Sequence, residues 1–203
     1  MAISNRTVIR THRKQRTGTE LTLGKADIER LSRELSDGKW YAAERMRAWQ
    51  DYQSMPMPTI QDEPWRRTDI RAMRWDKVLP EALRDKERSG GSSGSVPARL
   101  RKPLVGRKQG GQVVVSDGLL VESSLDQTAV DKGVVFTDLL SAARTYPELL
   151  AEYMGKLVPV QDGKHAAMAA ALADQGVFVF VPAGVMLEQP LHSVLWSSGL
   201  AQF

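Results

Sequence analysis

The chain has 203 residues, with 28 Lys and Arg, 24 Asp and Glu, 42% hydrophobic residues and no cysteine. These proportions are those of a globular protein with one sizeable domain or two small ones. Without cysteine there can be no disulfide, cysteine nucleophile or thiolate metal site, and a reducing, cytoplasmic setting is the expectation.

The small net charge of +4 hides a division. Residues 1–108 hold 24 Lys and Arg against 14 Asp and Glu, whereas residues 109–203 hold 4 against 10. A basic half can meet nucleic acid, an acidic partner or the acidic half of its own fold. Residues 1–20 are basic and lack an apolar core, so they read as a disordered tail rather than a secretory signal. No apolar run approaches the roughly 20 residues of a membrane helix, because Pro182 and two glycines break the longest one, "GVFVFVPAGVML".

The first predicted element is an amphipathic helix over Lys25–Leu35, with Ile28, Leu31 and Leu35 on one face. A second helix runs from Lys39 to about Ser54, with a wide stripe through Trp40, Ala43, Met46 or Arg47, Trp49 and Tyr52 or Gln53. The two form a helical hairpin. Pro56 and Pro58 then end the helix and hold the chain extended.

The next stretch, "PTIQDEPWRRTDIRAMRW", is polar yet carries two of the five tryptophans. Tryptophan lets an irregular segment gain burial that its backbone does not provide. The stretch therefore reads as an arm anchored by Trp65 and Trp75, with a short turn of helix capped by Thr68 or Asp69. Its expected seat is the hairpin, against Trp40, Trp49 or Tyr52. Glu81–Arg84 closes a helical turn, so residues 21–84 form a helical region with an anchored arm. "SGGSSGS" and the basic residues around it make 85–111 a flexible linker.

Residues 112–203 have a different texture. "QVVVSDGLLVES" is a hairpin around Ser-Asp-Gly, and "GVVF" is a strand. Thr137 or Asp138 caps a helix through Tyr146, and Pro147 opens another that Gly155 ends. Residues 163–176 form an Ala-rich helix, and "VFVFVPAGVMLEQPLHSVLW" returns to strands. Short strands separated by turns suggest the first rungs of a solenoid or sandwich.

Few motifs carry chemistry. Gly90–Gly94 fits G-x-S-x-G around Ser92, but it lacks the strand and helix that create a strained nucleophile. His12, His165 and His192 have no ligand-pair spacing. There is no phosphate-cradling glycine motif. Arg66, Arg67, Arg71 and Arg74 suit a nucleic-acid surface, but Asp62, Glu63, Asp69 and Asp76 among them would repel phosphate.

At "PTIQDEPWRRTDI" the chain resembles the SufB/SufD family of the SUF iron–sulfur cluster assembly system, and SufD-like members more closely. Pro58, Thr59, Asp62, Glu63, Trp65, Arg66, Thr68 and Asp69 match that pattern, while Pro64 and Arg67 depart from it. "KHAAMAAALADQGVFVFVPAGVMLEQPLHS" resembles a second family segment, with Ala183 where Lys is usual and Ala169 where Asn is usual.

The resemblance implies an α+β fold: an N-terminal helical region followed by the first, truncated rungs of a right-handed parallel β-helix. It implies a non-catalytic scaffold that binds no cofactor in this segment, within a complex that assembles iron–sulfur clusters. Its implied partners are a SufB-like paralogue and a SufC-like ATPase, with no membrane. Trp65, Thr68 and Asp69 are the expected structural anchors. An open-ended rung leaves apolar edges uncapped, so order is expected to weaken beyond Gly176. The alternative is a basic nucleic-acid-binding module, residues 1–108, fused to an acidic β domain.

Overall fold

The structure is a computed structural model and describes residues 21–70, 73, 75, 83, 96–103, 108–117 and 119–197. The "SGGSSGS" linker and Ser92 lie outside the described residues, as does Glu81–Arg84 except for Leu83.

Helices α1 (Lys25–Glu34) and α2 (Lys39–Ser54) form the expected hairpin. Asp27 starts α1 by accepting from the Gly24 N–H at 2.9 Å, which satisfies a donor at the helix start. Ile28 and Leu31 carry its buried face. In α2 the buried positions are Tyr41, Arg45, Ala48, Trp49 and Tyr52. The buried face therefore lies one residue on from the expected stripe at its start: Trp40 is half-buried and Ala43 exposed.

Strands β1 (Gly111–Ser116) and β2 (Leu119–Leu125) pair antiparallel, and Asp117 turns between them at φ 49°. A short helix that periodicity did not disclose, α3 (Gln127–Asp131), precedes β3 (Val135–Asp138). Gly133, at φ 79°, ends α3 and displaces β3 two residues beyond the expected "GVVF". Asp138, not Thr137, caps α4 (Leu139–Thr145), accepting from the Ser141 N–H at 3.0 Å. Helices α5 (Pro147–Tyr153) and α6 (Lys164–Leu172) follow, then β4 (Val177–Phe180) and β5 (Leu191–Trp196).

The architecture is thus mixed α+β. One sheet has the order β2-β1-β5 and the other pairs β3 with β4. β1 and β5 run parallel, from Gly111 opposite Leu191 to Ser116 opposite Trp196. The β3–β4 pair is antiparallel. Stacked β-helix rungs pair in parallel, and β1–β5 is the one parallel pairing among the described residues.

Val113, Val115 and Phe136 form a core between the two sheets. Gly111 fits there because a Cβ would come within 2.8 Å of the Ser124 carbonyl oxygen and 3.0 Å of the Phe136 ring. Another core joins Ile28, Ala48, Trp49 and Tyr52 of the hairpin to Ala167 and Ala171 of α6. The alanines let α6 approach α2 closely. A third packs Tyr41 against Ala143 and Leu150 of α4 and α5. Two of these cores therefore draw residues from both sides of the linker.

Cations make the same connection. The acidic half has only Lys132, Arg144, Lys156 and Lys164. Two of these reach the ends of the hairpin helices: Arg144 donates to the Leu35 carbonyl at 2.8 Å and Lys164 to the Met55 carbonyl at 2.8 Å. In return, Arg45 of α2 donates to the Ala171 carbonyl in the last turn of α6 at 2.9 Å. A cation at a helix C-terminus satisfies a free carbonyl and complements the helix dipole. Arg101 and Glu122 add an ion pair between the two halves.

Candidate functional site: the tryptophan arm and its seat

The arm begins as a folded loop. The Thr59 N–H donates to Asp62 Oδ2 at 2.6 Å, and the Gln61 N–H donates to Thr59 Oγ1 at 3.2 Å. These side chains supply the hydrogen bonds that an isolated turn lacks. A single 3-10 turn, Glu63–Trp65, follows, with Pro64 in its first positions. This turn lies before Thr68 and Asp69; most of the residues after Ile70, where the expected capped turn falls, lie outside the described residues. The Thr68 N–H donates to the Trp65 carbonyl at 2.9 Å, and the Met73 N–H to the Ile70 carbonyl at 3.0 Å. Arg71 and Arg74 lie outside the described residues.

Trp65 is half-buried and Trp75 only 5% exposed. Both meet one ring, that of His165 in the first turn of α6, at centroid distances of 4.8 and 5.1 Å. The arm's ring contacts are therefore with α6, rather than with Trp40, Trp49 or Tyr52 as expected. The physical reason is that Trp49 and Tyr52 are occupied, stacked on each other at 5.0 Å within the hairpin core. Thr68 and Asp69 are both exposed.

The seat has a defined electrostatic character. The Lys164 ammonium is held between the Met55 carbonyl and the face of Tyr52, 4.4 Å from the ring centroid. Both ring nitrogens of His165 are shielded from solvent and lack a hydrogen-bond partner among the described residues. Burial, then the adjacent Lys164 charge, push the His165 pKa below that of a free imidazole. Beneath α6, Arg45 pairs with Asp37 at 2.8 Å, both side chains essentially fully buried.

His192 lies elsewhere, buried on β5, with Nδ1 2.9 Å from the Gln112 amide nitrogen. That amide also donates to the Arg101 carbonyl at 2.9 Å, which leaves its second N–H for Nδ1. Neither histidine has a hydrogen-bonded nucleophile among the described residues. Among the described residues no three of His, Cys, Asp and Glu form a metal-holding group, and no helix is long and apolar enough to cross a membrane. Arg45 and Lys164, and the role of His165, escaped the sequence reading because their partners lie ninety or more residues away or, for Arg45 and Asp37, on opposite sides of a turn.

The fold and this arm define an α+β module in which a helical hairpin is clamped to a two-sheet unit. Residues 107–192, from just before β1 into β5, match the model of the SufBD protein N-terminal region. The match and the relatives that follow are similarities to the SufB/SufD family. The chain is 26% identical over 195 residues to the iron–sulfur cluster assembly protein SufB of Bacillus subtilis, covering 91% of this chain and 40% of that protein. It is 28% identical over 181 residues to SufD of the same organism, covering 87% and 39%. An iron–sulfur cluster assembly SufBD family protein of Staphylococcus epidermidis is 27% identical over 192 residues, covering 87% and 38%. The chain thus spans about two fifths of the length of these relatives.

Proposed function

We propose that this chain serves iron–sulfur cluster assembly as a SufD-like scaffold subunit in the cytoplasm, non-catalytic by itself. Its partners are a SufB-like paralogue and a SufC-like ATPase, and the cluster is the cargo of the complex. The observation that carries this reading is the family match over residues 107–192. The parallel β1–β5 register is what the first contact between β-helix rungs requires. The SufD side of the family is favoured by the arm motif around Trp65. The helices of the basic half are packed into the acidic half, which gives the nucleic-acid alternative no separate module.

The test is depletion of the protein in its source cells, followed by assay of several cluster-dependent enzymes. Their activities should fall together while their polypeptide levels hold, and the intact gene should restore them. Unchanged cluster occupancy after complete depletion would overturn the proposal.

A further inference from the structure

We propose that residues 155–158 form a docking finger, which inserts Leu157 into an apolar pocket on another protein whose rim carries Lys or Arg facing Glu148 and Glu152. Between α5 and α6 the chain turns at Gly155, whose φ of 76° lies in the left-handed region. The turn throws the next residues outward: Leu157 is 95% exposed and Val158 65%, and Tyr153, at the end of α5, is 53% exposed. The base of the finger is nevertheless fixed on both sides. Met154 packs against the core of Tyr41, Ala143 and Leu150, and Val160 against that of Ile28, Ala48 and Trp49. The Met154 N–H donates to the Leu150 carbonyl at 2.8 Å, and the Lys156 N–H to the Tyr153 carbonyl at 3.3 Å. Scattered exposed apolar residues are ordinary, but a braced apolar pair beside an exposed ring is the kind of surface that a partner covers.

The charges around the finger select its occupant. Between residues 145 and 162 the sequence has Glu148, Glu152 and Asp162 and one cation, Lys156, whose ammonium lies 5.8 Å from the centre of the Tyr153 ring. Glu148 and Glu152 stand one turn apart on the exposed side of α5. Segments that insert at a membrane surface carry Lys and Arg to meet anionic headgroups, so this acidic setting speaks against lipid. A second copy is disfavoured as well. Two-fold pairing would set finger against finger and Glu148 and Glu152 against their own like. Two convex tips would also bury well under the roughly 1,200 Å² of a stable interface. A concave apolar pocket with a basic rim answers both shape and charge: leucine is desolvated at the centre, and the carboxylates steer from the edge. The finger's role is independent of iron–sulfur cluster assembly, because it requires only a partner with such a pocket.

The test places photoreactive benzoylphenylalanine in the position of Leu157, in the protein as its source cells make it. Illumination of the cells should give one predominant adduct with a different polypeptide. Mass spectrometry should place the new bond among apolar residues flanked by Lys or Arg. Reversing the neighbouring charges, as in Glu148→Lys with Glu152→Lys, should cut the adduct severalfold, and the same probe in place of exposed Ser123 on β2 should not give it. Leu157→Asp with Val158→Ser should leave the melting temperature within about 2 °C, because both side chains stand in solvent. A larger fall would mean that the finger packs within its own molecule, and would overturn the proposal. So would the absence of an adduct, an adduct with lipid or with a second copy of this chain, adducts spread over unrelated sequences, or a yield that charge reversal leaves unchanged.

Discussion

Replacing Arg45 by Ala tests how the two halves are held. Arg45 Nε lies 2.8 Å from Asp37 Oδ2, and the two side chains are 0% and 1% exposed. Its Nη1 satisfies the Ala171 carbonyl at 2.9 Å, and its guanidinium lies 4.9 Å from the centre of the Tyr41 ring. Removal leaves a buried carboxylate without its cation and a helix end without its donor. Breaking a buried pair from one side costs about 3–5 kcal/mol. Urea unfolding followed by tryptophan fluorescence and circular dichroism should show the midpoint falling accordingly, with little change in slope. The pair itself need not be strongly stabilising: replacing both charges, as in Asp37→Leu with Arg45→Met, should recover most of the loss. A single-variant loss below about 1 kcal/mol, or a double variant as weak as the single, would refute the reasoning.

The two tryptophans should differ, because their burial does. Trp75→Ala should cost about 3–5 kcal/mol and Trp65→Ala about 1–2 kcal/mol in the same unfolding assay; the reverse order would contradict the arm's placement. Gly111→Ala forces a Cβ against the Ser124 carbonyl and should cost about 1–3 kcal/mol, read as a drop in melting temperature. Asp138→Ala removes the cap of α4 and should cost about 1 kcal/mol, with the exchange of α4 amides quickening most. Lys164→Gln removes a charge that lowers the His165 pKa. The NMR titration midpoint of His165 should therefore rise in this variant, and a fall would contradict the stated cause.

What the sequence disclosed was local. The helix over Lys39–Ser54 follows from its length and terminal signals, and the β1–β2 hairpin from Ser-Asp-Gly between apolar runs. The cap at Asp138 could be narrowed to two adjacent residues. The α2 face was misplaced because Arg45, a charged residue, belongs to the buried set, and hydropathy counts it as solvent-facing. The arm's tryptophan anchors were legible from composition, but their seat was not. His165 is a lone histidine at a helix start, and only the fold brings it across a hundred residues to Trp65. The parallel β1–β5 pairing spans eighty residues, and no local pattern encodes it. The family's motif residues Thr59 and Asp62 acquire a physical role in the structure, since they fasten the loop that leads to Trp65.

Central to the account is that this chain works inside a SUF assembly complex. The most direct measurement is native mass spectrometry of the protein isolated through a chromosomal tag from its source cells. The account predicts a complex containing a SufB-like paralogue and a SufC-like ATPase in fixed stoichiometry. A protein recovered free of both, under conditions that keep other subunits of that system together, would contradict it.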